Sequence, residues 1–194
     1  MLKVNNRSLH EAEPQASAAE ALATRLLDAL DGRLAHSATV AAQIERVAGL
    51  VESEWRSPAR DAAWLHDVGY HPGLALTGFH PLDGARWLRS RRWPDETCRL
   101  VAWHTQSFEE ARLSGLATDL AAEFDPPPLL AASALAWADL TSSPSGERWD
   151  AERRLAEILD RYPHGSVVHE ATRAAASRLR EAITRIEGLL CDRL

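Results

Sequence analysis

Six side chains that can bind a metal ion lie within about half of this 194-residue chain. They are His36, His66, Asp67, His80, His104 and Asp139. Each falls where the sequence predicts the apolar face or the end of a helix. A buried imidazole or carboxylate without a partner costs roughly several kcal/mol, so such groups pair with one another or bind metal. A buried site for a divalent cation is therefore the prediction that best explains all six.

The types of these side chains limit the choice of metal. Imidazole nitrogens together with carboxylate oxygens favour Fe or Mn, with Zn, Co and Ni as further candidates, whereas an all-oxygen set would have indicated Mg or Ca. His66 and Asp67 are adjacent, and neighbours on a helix differ in direction by about 100°. Both can face one site only at a helix end. Asp67 would then share its two oxygens between two metal ions while His66 binds one of them.

The elements that would position these side chains are helices. Alanine, leucine and arginine dominate, and no run of valine, isoleucine or threonine alternates with period two, which predicts an all-α protein with little or no sheet. The length suits one domain. We expect a loose segment at residues 1–15 and a single-domain helical bundle over residues 16–194. Its metal-binding core would cover about 34–143, followed by C-terminal helices within 148–190 that show no obvious reactive group.

The first half of the core is predicted to carry three of the ligands. A first helix is expected over residues 16–30, and a second begins near His36 with Val40 and Ile44 on the same face. Ser57 is expected to cap a third helix that has Pro58 in its first turn. That helix ends at the turn that follows the His66 and Asp67 pair.

The second half of the core is predicted to supply the other three. One helix begins at His80, and another begins at Pro94 and has His104 at the end of its apolar face. The segment 105–128 is expected to hold one or two short helices and to form part of the pocket wall. A later helix carries Asp139 on its apolar face.

Each histidine also has a simpler structural interpretation. His66 could bond to its neighbour at a helix end, His80 could cap a helix, and His104 could be a hydrogen-bonded core residue. His71 lies in a turn beside the His-Asp pair and is expected at the rim of the site, where it could protonate a leaving group. The remaining histidines are expected at the surface; they are His10, His164 and His169.

Other residues near the ligands could contact a substrate. Trp64, Trp103 and Trp137 lie one or two residues from a ligand, so on a helix they point elsewhere and core packing is the better interpretation. Several cations could contact a phosphate group, and the sequence does not select among them. They are Lys3, Arg33, Arg60, Arg86, Arg153 and Arg154.

The order of the ligands resembles the signature of the HD superfamily of metal-dependent phosphohydrolases, which is a His, then a His-Asp doublet, then a distant Asp. In this chain these residues are His36, His66, Asp67 and Asp139. The resemblance covers about residues 34–143, and the segment 63–70 is its most specific part. It implies an all-α bundle of the HD-domain type.

Two further segments look like the extra histidine positions of the binuclear members of that superfamily, at His80 and His104. The resemblance therefore implies two divalent ions. The chain departs from the family pattern in two places: Tyr70 stands where many members have a lysine, and Thr105 stands where many binuclear members have a second histidine. The missing lysine weakens the assignment of phosphate chemistry. The missing second histidine changes the ligand set, although one histidine of that pair is often sufficient for two metal ions.

The resemblance implies hydrolysis of a nucleotide or another small phosphorylated metabolite, with two cations activating a bridging hydroxide and binding the phosphoryl oxygens. His66, Asp67 and His71 would be the catalytic residues. A mixed-valence di-iron oxygenase, from a minority branch of the same superfamily, is the alternative. A non-catalytic module that binds a nucleotide or regulates a partner is the third.

Composition limits the partners and the location. The formal net charge of −6 disfavours a duplex nucleic-acid binder, since such proteins neutralise phosphates with Lys and Arg. No apolar run approaches the roughly 20 residues that span a bilayer, and residues 1–15 lack the features of a secretory signal. The cytoplasm is the expected location. Cys98 and Cys191 form no disulfide framework, and a homodimer is left open.

Overall fold

A computed structural model describes residues 17–192 of the chain. Within this range the protein contains ten α-helices and three short 3-10 helices, and no β-strand. This confirms the predicted all-α bundle. The predicted loose segment lies outside the described residues. The helices are α1 (Ala18–Leu27), α2 (Arg33–Val47), α3 (Arg56–Leu65), α4 (His80–Ser90), α5 (Asp95–Ala102), α6 (Ser107–Leu113), α7 (Ala117–Glu123), α8 (Leu129–Leu140), α9 (Ala151–Arg161) and α10 (Val167–Cys191).

The core lies between α2, α3 and α8, which pack against one another, while α10 packs on the other side of α8. The predicted apolar face of α2 is confirmed, because Val40 and Ile44 are fully buried. They join one apolar cluster with Leu65 and Leu135. Among the described helices, none is both long and apolar enough to cross a membrane.

Several helix boundaries differ from the prediction. Helix α1 begins at Ala18, later than expected. The Ser17 hydroxyl accepts a hydrogen bond from the Glu20 amide while the Glu20 carboxylate accepts one from the Ser17 amide. This capping box defines the N-terminus of the helix. Helix α2 begins at Arg33, earlier than expected, directly after Gly32 in the left-handed region with φ of 69°. Glycine adopts this conformation without steric cost.

The start of α3 also corrects the prediction. Ser57 makes no capping hydrogen bond there, because a 3-10 turn at Ser53–Trp55 leads directly into the helix at Arg56. Helix α4 begins at His80 as predicted. Helix α5 ends at Ala102, so His104 lies in the turn after the helix and not at the end of its apolar face. The segment 105–128 holds the two short helices α6 and α7, as expected.

A close backbone contact joins the turn after α3 to the first turn of α4. A Cβ atom built at Gly69 would lie 2.0 Å from the carbonyl oxygen of His80 and 2.8 Å from the amide of Gly84. Only glycine fits in so small a space. The contact fixes the segment that carries Asp67 against the helix that carries His80.

Asp83 fixes the loop that precedes α4. Its carboxylate is buried and accepts hydrogen bonds from the amides of Leu76, Thr77 and Gly78 at 3.0 to 3.1 Å. The Thr77 hydroxyl donates a further bond at 2.9 Å. The chain that leads to His80 is therefore tied to the helix that His80 begins.

Candidate metal centre

All six predicted ligands meet at one end of the bundle. His36 comes from the first turn of α2 and Asp139 from the last turn of α8, and the Nε2 atom of His36 lies 3.1 Å from Oδ1 of Asp139. His80 and His104 face each other with their Nε2 atoms 3.2 Å apart. Two nitrogens that each lie about 2.1 Å from one cation have roughly this separation.

Asp67 lies at the middle of the cluster. Its Oδ1 atom is 3.6 Å from Nε2 of His66 and 3.5 Å from Nε2 of His80. Two groups of side chains therefore have ligand atoms within 4.8 Å of one another and could each hold a metal ion, with Asp67 common to both. The groups are His36, His66 and Asp67, and Asp67, His80 and His104.

Three of the four imidazoles are oriented by main-chain carbonyl oxygens at Nδ1. The contacts are His36 to Ser143 at 3.0 Å, His66 to Ala63 at 3.0 Å and His104 to Val101 at 2.7 Å. A carbonyl oxygen only accepts hydrogen bonds, so each Nδ1 carries a proton and Nε2 is the atom left for another partner. The same second contact orients histidines that bind metals in proteins.

His66 shows that this cluster fits a cation. Its side chain is 1% exposed, and its Nε2 atom is buried with no hydrogen-bond partner among the described residues. Burial lowers the pKa of His66 to about 4, against the opposing charges of Asp67 and Asp139. The ring is therefore neutral and directs an unused lone pair into the cluster, where a bound metal ion would satisfy it.

The two carboxylates remain ionised despite their burial. Burial by itself would raise the pKa of Asp67, but His66, Arg33 and His80 lower it well below its usual range. Burial likewise opposes the ionisation of Asp139, but the hydrogen bond and charge of His36, together with His66 and His104, lower its pKa well below its usual range. Each carboxylate therefore brings a negative charge to the cluster.

Asp67 differs from the prediction in the use of its second oxygen. Nη1 of Arg33 lies 2.7 Å from Oδ2, so only Oδ1 faces the histidines in this conformation. The Arg33 guanidinium also lies 3.6 Å from the centre of the Tyr70 ring, and that ring stacks on His80 at 3.8 Å. Tyr70 thus contacts both a cation and a candidate ligand.

Asp139 is oriented from two sides. His36 contacts Oδ1, and the hydroxyl of Thr105 donates to Oδ2. Thr105 has a φ of 50°, a conformation that is strained for a β-branched residue. Burial lowers the pKa of His36, but the hydrogen bond to Asp139 and the charges of Asp139 and Asp67 together outweigh burial and raise it. A cation bound at Nε2 of His36 would therefore displace a proton.

The cleft over this cluster is completed by two parts of the chain. Gln106, Ser107 and Glu110 come from the segment predicted to form a pocket wall. The opposite wall includes Arg154 and Arg161 of α9; Arg154 was a candidate phosphate contact, whereas Arg161 was not predicted. Of the five predicted phosphate contacts within residues 17–192, Arg33 and Arg154 line the cleft.

Other candidates are placed elsewhere. His71 does not line the cleft; its Nδ1 accepts the Gly73 amide at 3.1 Å. Arg60 pairs with Glu45, Arg86 pairs with Glu123 and Arg153 lies over Trp149. His169 is 3% exposed and beside Glu170, so the expectation of a surface position was wrong for it. Trp64, Trp103 and Trp137 pack in or against the core, as predicted. Lys3 and His10 lie outside the described residues.

Comparison of the chain with protein-family models, with curated proteins and with solved structures found no match. The resemblance to the HD superfamily therefore stays a prediction, and function is inferred from the residues of the cleft.

Proposed function

We propose that the protein is a metal-dependent hydrolase of phosphoric esters of nucleotides or other small metabolites. The observation that carries the proposal is the buried, partnerless Nε2 atom of His66 within a converging set of four imidazoles and two carboxylates. Divalent transition-metal ions, Fe or Mn before Zn, Co or Ni, suit this donor set.

The ligands would leave excess positive charge for a substrate. His36, His66, His80 and His104 bind as neutral groups, and the two carboxylates carry only two negative charges against the four positive charges of two divalent ions. Bound cations would supply Lewis-acid stabilisation of phosphoryl oxygens and would lower the pKa of a water ligand. An anionic substrate fits this balance, and phosphate esters need such stabilisation because their uncatalysed hydrolysis is very slow.

The surrounding residues would keep the ligands and the substrate in place. Main-chain carbonyls orient three of the imidazoles, and Thr105 orients Asp139. Glu110 lines the cleft, and burial raises its pKa although a hydrogen bond from Gln106 opposes this. We assign to Glu110 the protonation of the leaving oxygen, because Glu110 lines the cleft and His71 does not.

The metal requirement gives the direct test. Protein purified without chelator should contain a transition metal and should hydrolyse at least one member of a panel of nucleotides, cyclic nucleotides and sugar phosphates. Chelation should abolish hydrolysis, and Mn or Fe should restore it under anaerobic conditions. Because a ligand at about 100 times its Kd stabilises the folded state by about 2.7 kcal/mol, the same addition should raise Tm. Hydrolysis that persists in metal-free protein would contradict the proposal.

A mixed-valence di-iron oxygenase is the second candidate, and Tyr70 is the observation that favours it. Tyr70 stacks on His80 where hydrolases of the HD superfamily often have a lysine, and burial raises the pKa of its hydroxyl, so it stays neutral. Tyr70 itself therefore brings no positive charge to the position where such a lysine would. Iron-loaded protein that consumes dioxygen with substrate, and whose electron paramagnetic resonance spectrum changes when substrate binds, would favour this candidate over hydrolysis.

A further inference from the structure

Arg154 is a buried cation in the wall of the cleft. Its residue surface is 8% exposed, and it lines the same cleft as His36 and Asp139. Its Nη1 atom donates to Glu157, but its Nε atom is buried and has no hydrogen-bond partner among residues 17–192. An unsatisfied donor on a charged group is costly to bury, so a missing acceptor at this position is the simplest explanation.

The carboxylate beside Arg154 does not neutralise this end of the cleft. Glu157 also contacts Nε of Arg161 at 3.1 Å, so one carboxylate is shared by two guanidinium groups. Arg161 lines the cleft as well. The wall therefore carries a net positive charge next to the metal ligands.

The size of the cleft limits what can bind there. Its volume is about 50 Å³, whereas sites for drug-sized ligands span about 300–1,000 Å³. Tyr162 and Val168 also line it. An oxyanion of a few heavy atoms fits the enclosed part of this space.

We propose that Arg154, assisted by Arg161, is the binding site for an oxyanion of the substrate, either a phosphoryl or a carboxylate group. The planar guanidinium offers Nε as a donor in the geometry that oxyanions accept. This inference rests on the proposed function, and it specifies an acidic group of the substrate that lies beside the metal ligands. Arg154 would set the affinity for that substrate without binding metal.

Binding of inorganic phosphate to the full chain, measured by calorimetry, tests the assignment. Charge-assisted hydrogen bonds of this kind correspond to roughly a ten- to hundredfold change in affinity. Arg154→Gln should weaken phosphate binding by that factor and leave metal content unchanged. Arg153→Gln is the matched control, because Arg153 is the next residue on α9, is exposed and lies over Trp149 outside the cleft. Acetate in place of phosphate distinguishes a carboxylate site from a phosphoryl site.

Two further variants keep the assignment open to disproof if Arg154→Gln folds poorly. Arg154→Lys keeps the charge but removes Nε, and Arg161→Gln removes the assisting cation; both should weaken phosphate binding by a smaller factor. Phosphate affinity equal to that of the wild type in folded Arg154→Gln or Arg154→Lys protein would overturn the assignment. Because binding needs no turnover, weakened binding in a protein without hydrolase activity would support the oxyanion site and contradict the proposed function.

Discussion

Asp67→Asn protein should purify with almost no transition metal and should show no turnover. The substitution keeps the shape of the side chain but removes the charge of the Oδ1 atom that lies between His66 and His80. Loss of an outer-shell partner alone commonly reduces metal affinity about 10- to 100-fold, so loss of a central ligand should reduce it by roughly 100-fold or more. Metal analysis of protein purified without chelator measures the effect.

Two controls separate the loss of a ligand from other effects. Asp61→Asn makes the same chemical change on α3 at a residue that does not line the cleft, and it should keep the metal. Arg33→Gln removes the partner of Oδ2 but leaves the carboxylate, so it should reduce metal affinity by no more than the roughly 10- to 100-fold expected for an outer-shell partner, less than Asp67→Asn. Wild-type metal content in Asp67→Asn protein would exclude Asp67 as a ligand and with it the proposed centre.

The sequence predicted the centre because the cost of burial acts on recognisable side chains. His36, His66 and Asp139 lie on the inner faces or ends of three separate helices. Few arrangements other than a metal ion that they share explain this placement. Helical periodicity then predicted the inward face of α2, which the structure confirms. A buried histidine or aspartate near other such residues is recognisable from sequence, because the same side chain both binds metal and needs a partner when it is buried.

The local geometry around His104 could not be predicted in the same way. The apolar pattern of α5 continues in register to His104, but the helix ends at Ala102 and the chain turns through Thr105 with a positive φ. Threonine gives no signal for that conformation, since glycine and asparagine are the residues that usually adopt it. This conformation lets the Thr105 hydroxyl donate a hydrogen bond to Asp139, a tertiary contact that the local sequence does not encode.

The second wall of the cleft depends on long-range packing. Arg154 and its neighbour Arg153 look alike in sequence, and only the orientation of α9 directs one into the cleft and the other over Trp149. Arg33 was one of six candidate cations, and its contact with Asp67 joins residues from different helices. These positions follow from how helices pack, which periodicity within one helix does not specify.

Gly69→Ala should destabilise the protein and weaken metal binding together. The new Cβ would lie 2.0 Å from the His80 carbonyl oxygen, and both groups belong to the backbone, so no side-chain rotation relieves the clash. Overpacking commonly lowers the free energy of unfolding by about 1–3 kcal/mol, and we expect this backbone clash to lower it by about 3 kcal/mol or more. At about 2–4 °C per kcal/mol, Tm should fall by roughly 6–12 °C. Chemical and thermal denaturation measure the loss.

Gly188→Ala is the matched control for this prediction. Gly188 lies within α10, and a Cβ built there meets nothing within 4 Å. Alanine in a helix interior is favoured over glycine by about 0.5–1 kcal/mol, so this variant should be slightly more stable and keep its metal. The clash at Gly69 instead moves Asp67 away from His80, and these two residues must stay close to hold one ion. Gly69→Ala protein with wild-type stability would show that α3 and α4 can separate freely, and it would remove the structural reason for a preorganised centre.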